Sequence, residues 1–279
     1  LLFLSEFLGG IFVAIWFGAI PIIRKWRKVK KNKKKLFIFS SLLNGVIAPL
    51  LWFIGLSSTS AVNAELFSRT EMLFMILLGV IVIHEKFTKQ HVFSLSVILF
   101  GITYVALRGF TETVNIATGD MLIVSSALVY ALGSIIIKKS LHEVPPELII
   151  AGRASMAALT FFLVSPFITF NMGNEFSNIN KEILIALIGY GFIAKFLGTY
   201  GFHQAIDHLK VRTVSMMGTL SIVGGIIFAA IYLGEQIHMY QIIGGSTIVL
   251  GVLLTHKVGV HSSEKVQEHH MIQHHRNQI

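Results

Sequence analysis

The chain of 279 residues is 54% apolar and 13% charged, with a mean hydropathy of +0.73, a balance that a water-facing surface does not tolerate. Its net charge of +9 sits largely between apolar segments, which points to membrane topology and anionic lipid and away from nucleic acid. Cysteine is absent, so a disulfide framework, a thiolate metal site and a cysteine nucleophile are excluded.

A spanning helix needs about 20 mostly apolar residues to cross ~30 Å of hydrocarbon. In chain order, hydropathy predicts nine of them: 1–23, 36–56, 60–83, 91–107, 119–137, 147–170, 183–203, 213–233 and 240–256. Barrel strands would instead alternate over roughly ten residues, so the expected fold class is an all-α polytopic membrane bundle. The chain opens at Leu1 inside the first apolar segment, and a basic cluster follows that segment instead of preceding it. No signal peptide is expected from this arrangement, and sequence before Leu1 is expected to be missing.

The loop RKWRKVKKNKKK at 24–35 holds nine of the 23 Lys and Arg residues. Lys86, Lys89, Lys138, Lys139, Lys210, Arg212, Lys257, Lys265 and Arg276 fall on the same side of the nine spans, against Arg108 and Lys181 on the other. The excess of positive charge on cytoplasmic loops then places the C-terminus in the cytoplasm and the chain in the cell membrane, with anionic lipids at 24–35. The tail 257–279, with His269, His270, His274 and His275, lacks a convergent further metal ligand and reads as a disordered extension.

Shifting the sequence by 150 positions lays residues 55–105 on 205–255 without a gap. Ile76, Ile81, Glu85, Ser96, Ile98 and Gly101 meet Ile226, Ile231, Glu235, Ser246, Ile248 and Gly251. With an odd number of spans per copy the two copies face opposite ways, a construction used by secondary transporters. The second copy has five spans and the first four, so one helix before Leu1 would equalise them. The expected domains are a first repeat at 1–108, a second at 119–256 and the His-rich tail.

These residues resemble the EamA family of the drug/metabolite transporter superfamily. The resemblance lies in GVIVIHEKFTKQHVFSLSVILFGITYV at 79–105, AAIYLGEQIHMYQIIGGSTIVLGVLL at 229–254 and the Gly-Asp start of the second half at 119–155. It implies ten helices in two inverted five-helix repeats, cytoplasmic termini and a central cavity between the sequence halves. Met72 and Ile222 stand where the family often carries a Pro, and no Arg near Glu6 answers the one expected in the second helix. Subfamily and cargo therefore stay unassigned.

Ionisable groups at membrane depth are expensive unless paired or hydrated, which makes them functional candidates. Six fall within spans: Glu6, Glu65, Arg69, Glu71, Arg153 and Lys195, three acids against three bases. Arg69 and Lys195 lie near the middle of their spans and are expected to attract an anionic or zwitterionic substrate. Glu65, one helical turn from Arg69, either positions it or exchanges a proton. Tyr200, Asn63 and Tyr130 are further candidates for substrate binding; the alternative for each of these residues is a packing or hydrogen-bonding role. Glu71 and Arg153 are read as packing pairs, and Glu85 and Glu235 as caps or braces in the repeat loops. No nucleotide-binding loop of the G-x-x-x-x-G-K-[ST] kind is present. The expected function is a small-metabolite transporter working by alternating access, an exporter by analogy, with proton coupling as an option. The alternatives are an uncoupled facilitator, or a membrane sensor or enzyme, for which no catalytic cluster assembles. No cofactor or nucleic acid is expected, the partners being the substrate and the bilayer; a homodimer is compatible with the sequence.

Overall fold

A computed structural model describes residues 2–84, 89–110, 117–141, 144–164, 181–201 and 211–254, and every regular element among them is a helix. In chain order these are α1 (Leu2–Phe17), α2 (Ala19–Lys28), α3 (Lys31–Leu56), α4 (Ala61–Ile83), α5 (Lys89–Ala106), α6 (Thr118–Ser140), α7 (Pro146–Val164), α8 (Ile183–Gly201), α9 (Val211–Tyr232) and α10 (Met239–Leu254). Each of the nine expected spans overlaps at least one of them. Five (α3, α4, α6, α7 and α8) are long and apolar enough to cross a bilayer alone, and the pair α1 and α2 makes a sixth if counted as one broken span. Shorter apolar stretches occupy Val92–Ala106, Ile222–Tyr232 and Met239–Leu254. Helices are the required solution because hydrocarbon offers no partner to a backbone N–H or C=O.

The first span departs from expectation. Instead of running to residue 23, the helix stops at Phe17, and α2 leaves it at 95°. Gly18, at φ 79°, makes a turn that side-chain-bearing residues rarely adopt, and Pro21 sits in the first turn of α2, where its missing N–H costs nothing. The basic segment at 24–35 is likewise not a loop. It forms the end of α2 and the start of α3, with only Val29 and Lys30 between them. Lys25 pairs with Glu147 at the start of α7, and Trp26 meets Phe37 in a tilted contact at 5.0 Å with Lys34 over its ring, which offsets part of this charge density.

Large apolar side chains stand outward along the helices, among them Ile15, Trp16, Ile185, Ile193 and Ile231. In water each would forfeit roughly 1.5–3 kcal/mol of burial; against lipid that loss vanishes, and the surface is consistent with a multi-pass membrane protein.

The chain forms two compact units, and each draws on both sequence copies: residues 1–54 with 125–205, and residues 55–124 with 206–279. In the first unit α1 lies against α7 and α8. A Cβ at Gly10 would come within 2.5 Å of Ala154, and one at Gly9 within 2.9 Å of the Lys195 Cβ, so only glycine allows this approach. The core there is Val13, Ile150 and Phe196. A second cluster of Phe37, Leu141, Val144, Leu148 and Ile149 fixes α3 on α7. Within α3 the backbone widens to a π-helical turn at Leu43–Ile47, directly before Pro49. Proline removes the hydrogen bond to residue 45 and crowds its carbonyl, and a widened turn relieves both. The Ala48 carbonyl in the same turn accepts from the buried Ser126 hydroxyl of α6 at 2.7 Å.

In the second unit α5 and α10, which correspond in the sequence repeat, pack on each other. A Cβ at Gly101 would lie 2.8 Å from the Gly244 carbonyl oxygen and 2.8 Å from Ile248; one at Gly251 would lie 3.2 Å from the Ser94 oxygen and 2.5 Å from Ile98. Under the 150-residue shift Gly101 becomes Gly251, Ile98 becomes Ile248 and Ser94 becomes Gly244. The contact is thus reciprocal, and since contacts high on one helix meet low positions on the other, α5 and α10 run antiparallel. Ile98 and Ile248 are both fully buried at this crossing. Gly101→Ala and Gly251→Ala are each expected to cost about 1–3 kcal/mol through overpacking, measured by thermal unfolding in detergent. Gly189→Ala, where nothing lies within 4 Å of the added methyl group, should cost far less.

Candidate functional site

Charges inside the spans assemble separately in the two units. In the first, Glu6 of α1 accepts from Lys195 Nζ of α8 at 2.5 Å and from Arg153 Nη2 of α7 at 3.3 Å. Exposure of the three side chains is 5%, 12% and 18% for Glu6, Lys195 and Arg153. One carboxylate therefore faces two cations in the protein interior, and the cluster carries a surplus of one positive charge. An unpaired buried ion costs several kcal/mol, so this surplus requires a reason. Lys195 projects from a π-helical stretch, Gly191–Gly198, and lies over the Tyr190 ring at 5.5 Å. Long π stretches are rare and concentrate at functional positions.

Two polar atoms at this level have no hydrogen-bond partner: Arg153 Nε and Asn44 Oδ1. Asn44 occupies the widened turn of α3. The neighbouring Gly45 is pressed so closely on α7 that a Cβ would lie 2.9 Å from the Arg153 Cα. Tyr130 of α6 and Tyr190 lie within electrostatic range of the guanidinium. Tyr200 stacks on Phe196 at 6.3 Å and meets Phe17 at 5.1 Å, one turn beyond Lys195.

In the second unit Glu65 pairs with Arg69 one turn along α4, as the spacing predicts. Its carboxyl group lies against Gly225 of α9, where a Cβ would come within 3.2 Å of the carboxyl carbon. Arg69 Nε is buried and without a partner. Asn63 accepts from Gln241 Nε2 at 2.7 Å. Glu235 holds the start of α4: its two carboxylate oxygens accept the N–H groups of Ala61 at 2.7 Å and Val62 at 3.0 Å, where the helix dipole favours negative charge. Glu85 and the His-rich tail lie outside the described residues. A polar cavity of about 410 Å³ opens at this end, lined by Ser58, Asn63, Arg108, Asp120, Glu235 and Gln241 among others. Arg69 and Glu65 do not line it.

Of the expected substrate residues, Lys195, Tyr130 and Tyr200 thus fall in the first unit and Arg69, Glu65 and Asn63 in the second. Glu6 and Arg153, read from sequence as one candidate charge and one packing residue, turn out to be the immediate partners of Lys195. The signal that points to them is the presence of charges in α1 and α7, but hydropathy carries no information about which span meets which. Glu235→Ala is expected to destabilise the chain by about 1–2 kcal/mol, and Glu235→Gln by less, because the amide keeps one acceptor oxygen; thermal unfolding of the two variants side by side measures the difference.

The EamA-like transporter family model matches residues 1–107 and 117–256. An uncharacterized transporter of Methanothermobacter thermautotrophicus is 29% identical over 81% of this chain and 66% of its own length. A second, from Bacillus subtilis, is 26% identical over 81% of this chain and 75% of its own. A probable amino-acid metabolite efflux pump of Salmonella typhimurium is 23% identical over 68% of this chain and 66% of its own. The alignments thus reach about two thirds to three quarters of these relatives. A protein crystal structure superposes with a TM-score of 0.60 at 16% identity, covering 91% of this chain and 85% of the other, a likeness of fold. With the family model on nearly the whole helical region, the chain is a polytopic helical membrane protein that belongs to the EamA-like transporter family.

Proposed function

We propose that the chain is a secondary transporter that exports a small metabolite by alternating access, without catalytic chemistry. The observation that carries this reading is the largely buried Glu6, Arg153 and Lys195 cluster with its surplus positive charge among the described residues: a charge kept inside a membrane span in this way is explained by an anionic group that comes and goes. Support also comes from the antiparallel, reciprocal packing of α5 and α10, since inverted repeats allow one chain to take up two mirror-related conformations. In this reading the repeats 1–108 and 119–256 exchange conformations. Lys195 attracts the negative charge of the substrate, Arg69 with Glu65 forms a second charged station on its path, and Tyr130, Tyr200 and Asn63 add hydrogen-bonding capacity. The similarity to the probable amino-acid metabolite efflux pump of Salmonella typhimurium favours an amino-acid-derived cargo and export. The basic α2 and the start of α3 lie on the cytoplasmic side of the cell membrane against anionic lipid, with the C-terminus on that side.

Purified chain in proteoliposomes is expected to move solute faster than protein-free vesicles. Lys195→Gln and Arg69→Gln, compared at equal insertion, should each lower the rate by at least roughly tenfold, a loss of about 1.4 kcal/mol in the rate-limiting barrier. Normal rates in both variants would defeat the assignment of these residues. An imposed pH gradient separates coupled from passive flux: acceleration with Glu65 intact and its loss in Glu65→Gln is the coupled outcome, and flux indifferent to the gradient leaves an uncoupled facilitator.

A further inference from the structure

We infer that the Glu6, Arg153 and Lys195 cluster is a binding site for one monocarboxylate, with Glu6 as the internal anion that occupies the two cations when the substrate is absent. This deepens the transporter reading and rests on it. Two cations and one carboxylate are neutralised by a single negative charge, whereas a dianion overshoots and a neutral solute leaves the surplus buried. The donors fit a carboxylate in kind as well as in charge. A guanidinium presents a planar fork and an ammonium adds a compact third donor direction, and both form their strongest hydrogen bonds to carboxylate oxygens.

The Arg153 side chain adds a second observation: its Nε is buried and makes no hydrogen bond, although Glu6 is bound to Nη2 of the same group. Buried polar atoms are nearly always satisfied in folded proteins, so this orphan donor is one that a solute carboxylate oxygen would satisfy. Glu6 accepts from both cations through the same oxygen, so an incoming carboxylate competes with Glu6 for Arg153 and Lys195.

Binding of short straight-chain monocarboxylates and of α,ω-dicarboxylates of the same length, both ionised at neutral pH, tests this on the full chain in nanodiscs by ligand-dependent thermal stabilisation. The wild-type chain is expected to bind monocarboxylates at least roughly tenfold more tightly than dicarboxylates. Glu6→Gln raises the surplus from one charge to two, and the preference should invert. Should that variant fail to fold, Lys195→Met leaves a neutral Glu6 and Arg153 pair and should lose roughly tenfold or more in monocarboxylate affinity, with no gain for dicarboxylates. A purely structural role predicts lowered thermal stability in both variants with an unchanged ratio between the two ligand series. Equal binding of both series by the wild-type chain, binding of neither, or an unchanged affinity in Lys195→Met overturns the inference. Solute flux in proteoliposomes alongside such a result leaves the transporter reading standing, and absence of flux removes that reading itself.

Discussion

The cost of charge in hydrocarbon organises this molecule. Glu6 is one carboxylate between two cations, and α1, α7 and α8 are held in register by that contact as much as by apolar packing. The glycines at 9 and 10 are part of the same arrangement: α1 has to approach closely for a side chain as short as Glu6 to reach both Arg153 and Lys195, and any side chain at those positions would push the helix away. Apolar burial alone would permit α1 to rotate or slide; a buried ion cluster does not, because each displaced contact leaves a charge exposed to a low dielectric.

A different solution holds the other unit. Glu65 and Arg69 pair with each other on one helix, α4, which also carries Glu71. Close packing does the positioning there, through the reciprocal meeting of Gly101 with Ile248 and Gly251 with Ile98. The Glu235 carboxylate adds a polar tie at the helix end, joining the loop before α10 to the first N–H groups of α4.

Much of this was legible in the sequence, for identifiable reasons. Membrane residence follows from hydropathy because every span must be apolar over its whole length. The correspondence of Gly101 with Gly251 and of Ile98 with Ile248 shows in the sequence because these positions meet in close packing that admits few alternatives. The Glu65 and Arg69 pair was readable because it is local, one turn apart on a single helix. The break at Gly18 was not, since a hydropathy window averages across a bend and a lone glycine in an apolar run is usually tolerated without a turn. The partners of Glu6 were also hidden: its contacts are 147 and 189 residues away, and interhelical pairing depends on rotation about each helix axis, which composition does not encode. The division into two units that each mix both repeats is hidden for the same reason.

The most direct test of the account is efflux from proteoliposomes loaded with a cell metabolite extract, followed by mass spectrometry of what leaves. The account predicts selective loss of solutes bearing a carboxylate, relative to protein-free vesicles and to vesicles containing Lys195→Gln. An unchanged metabolite profile, or a loss that Lys195→Gln reproduces in full, would contradict it.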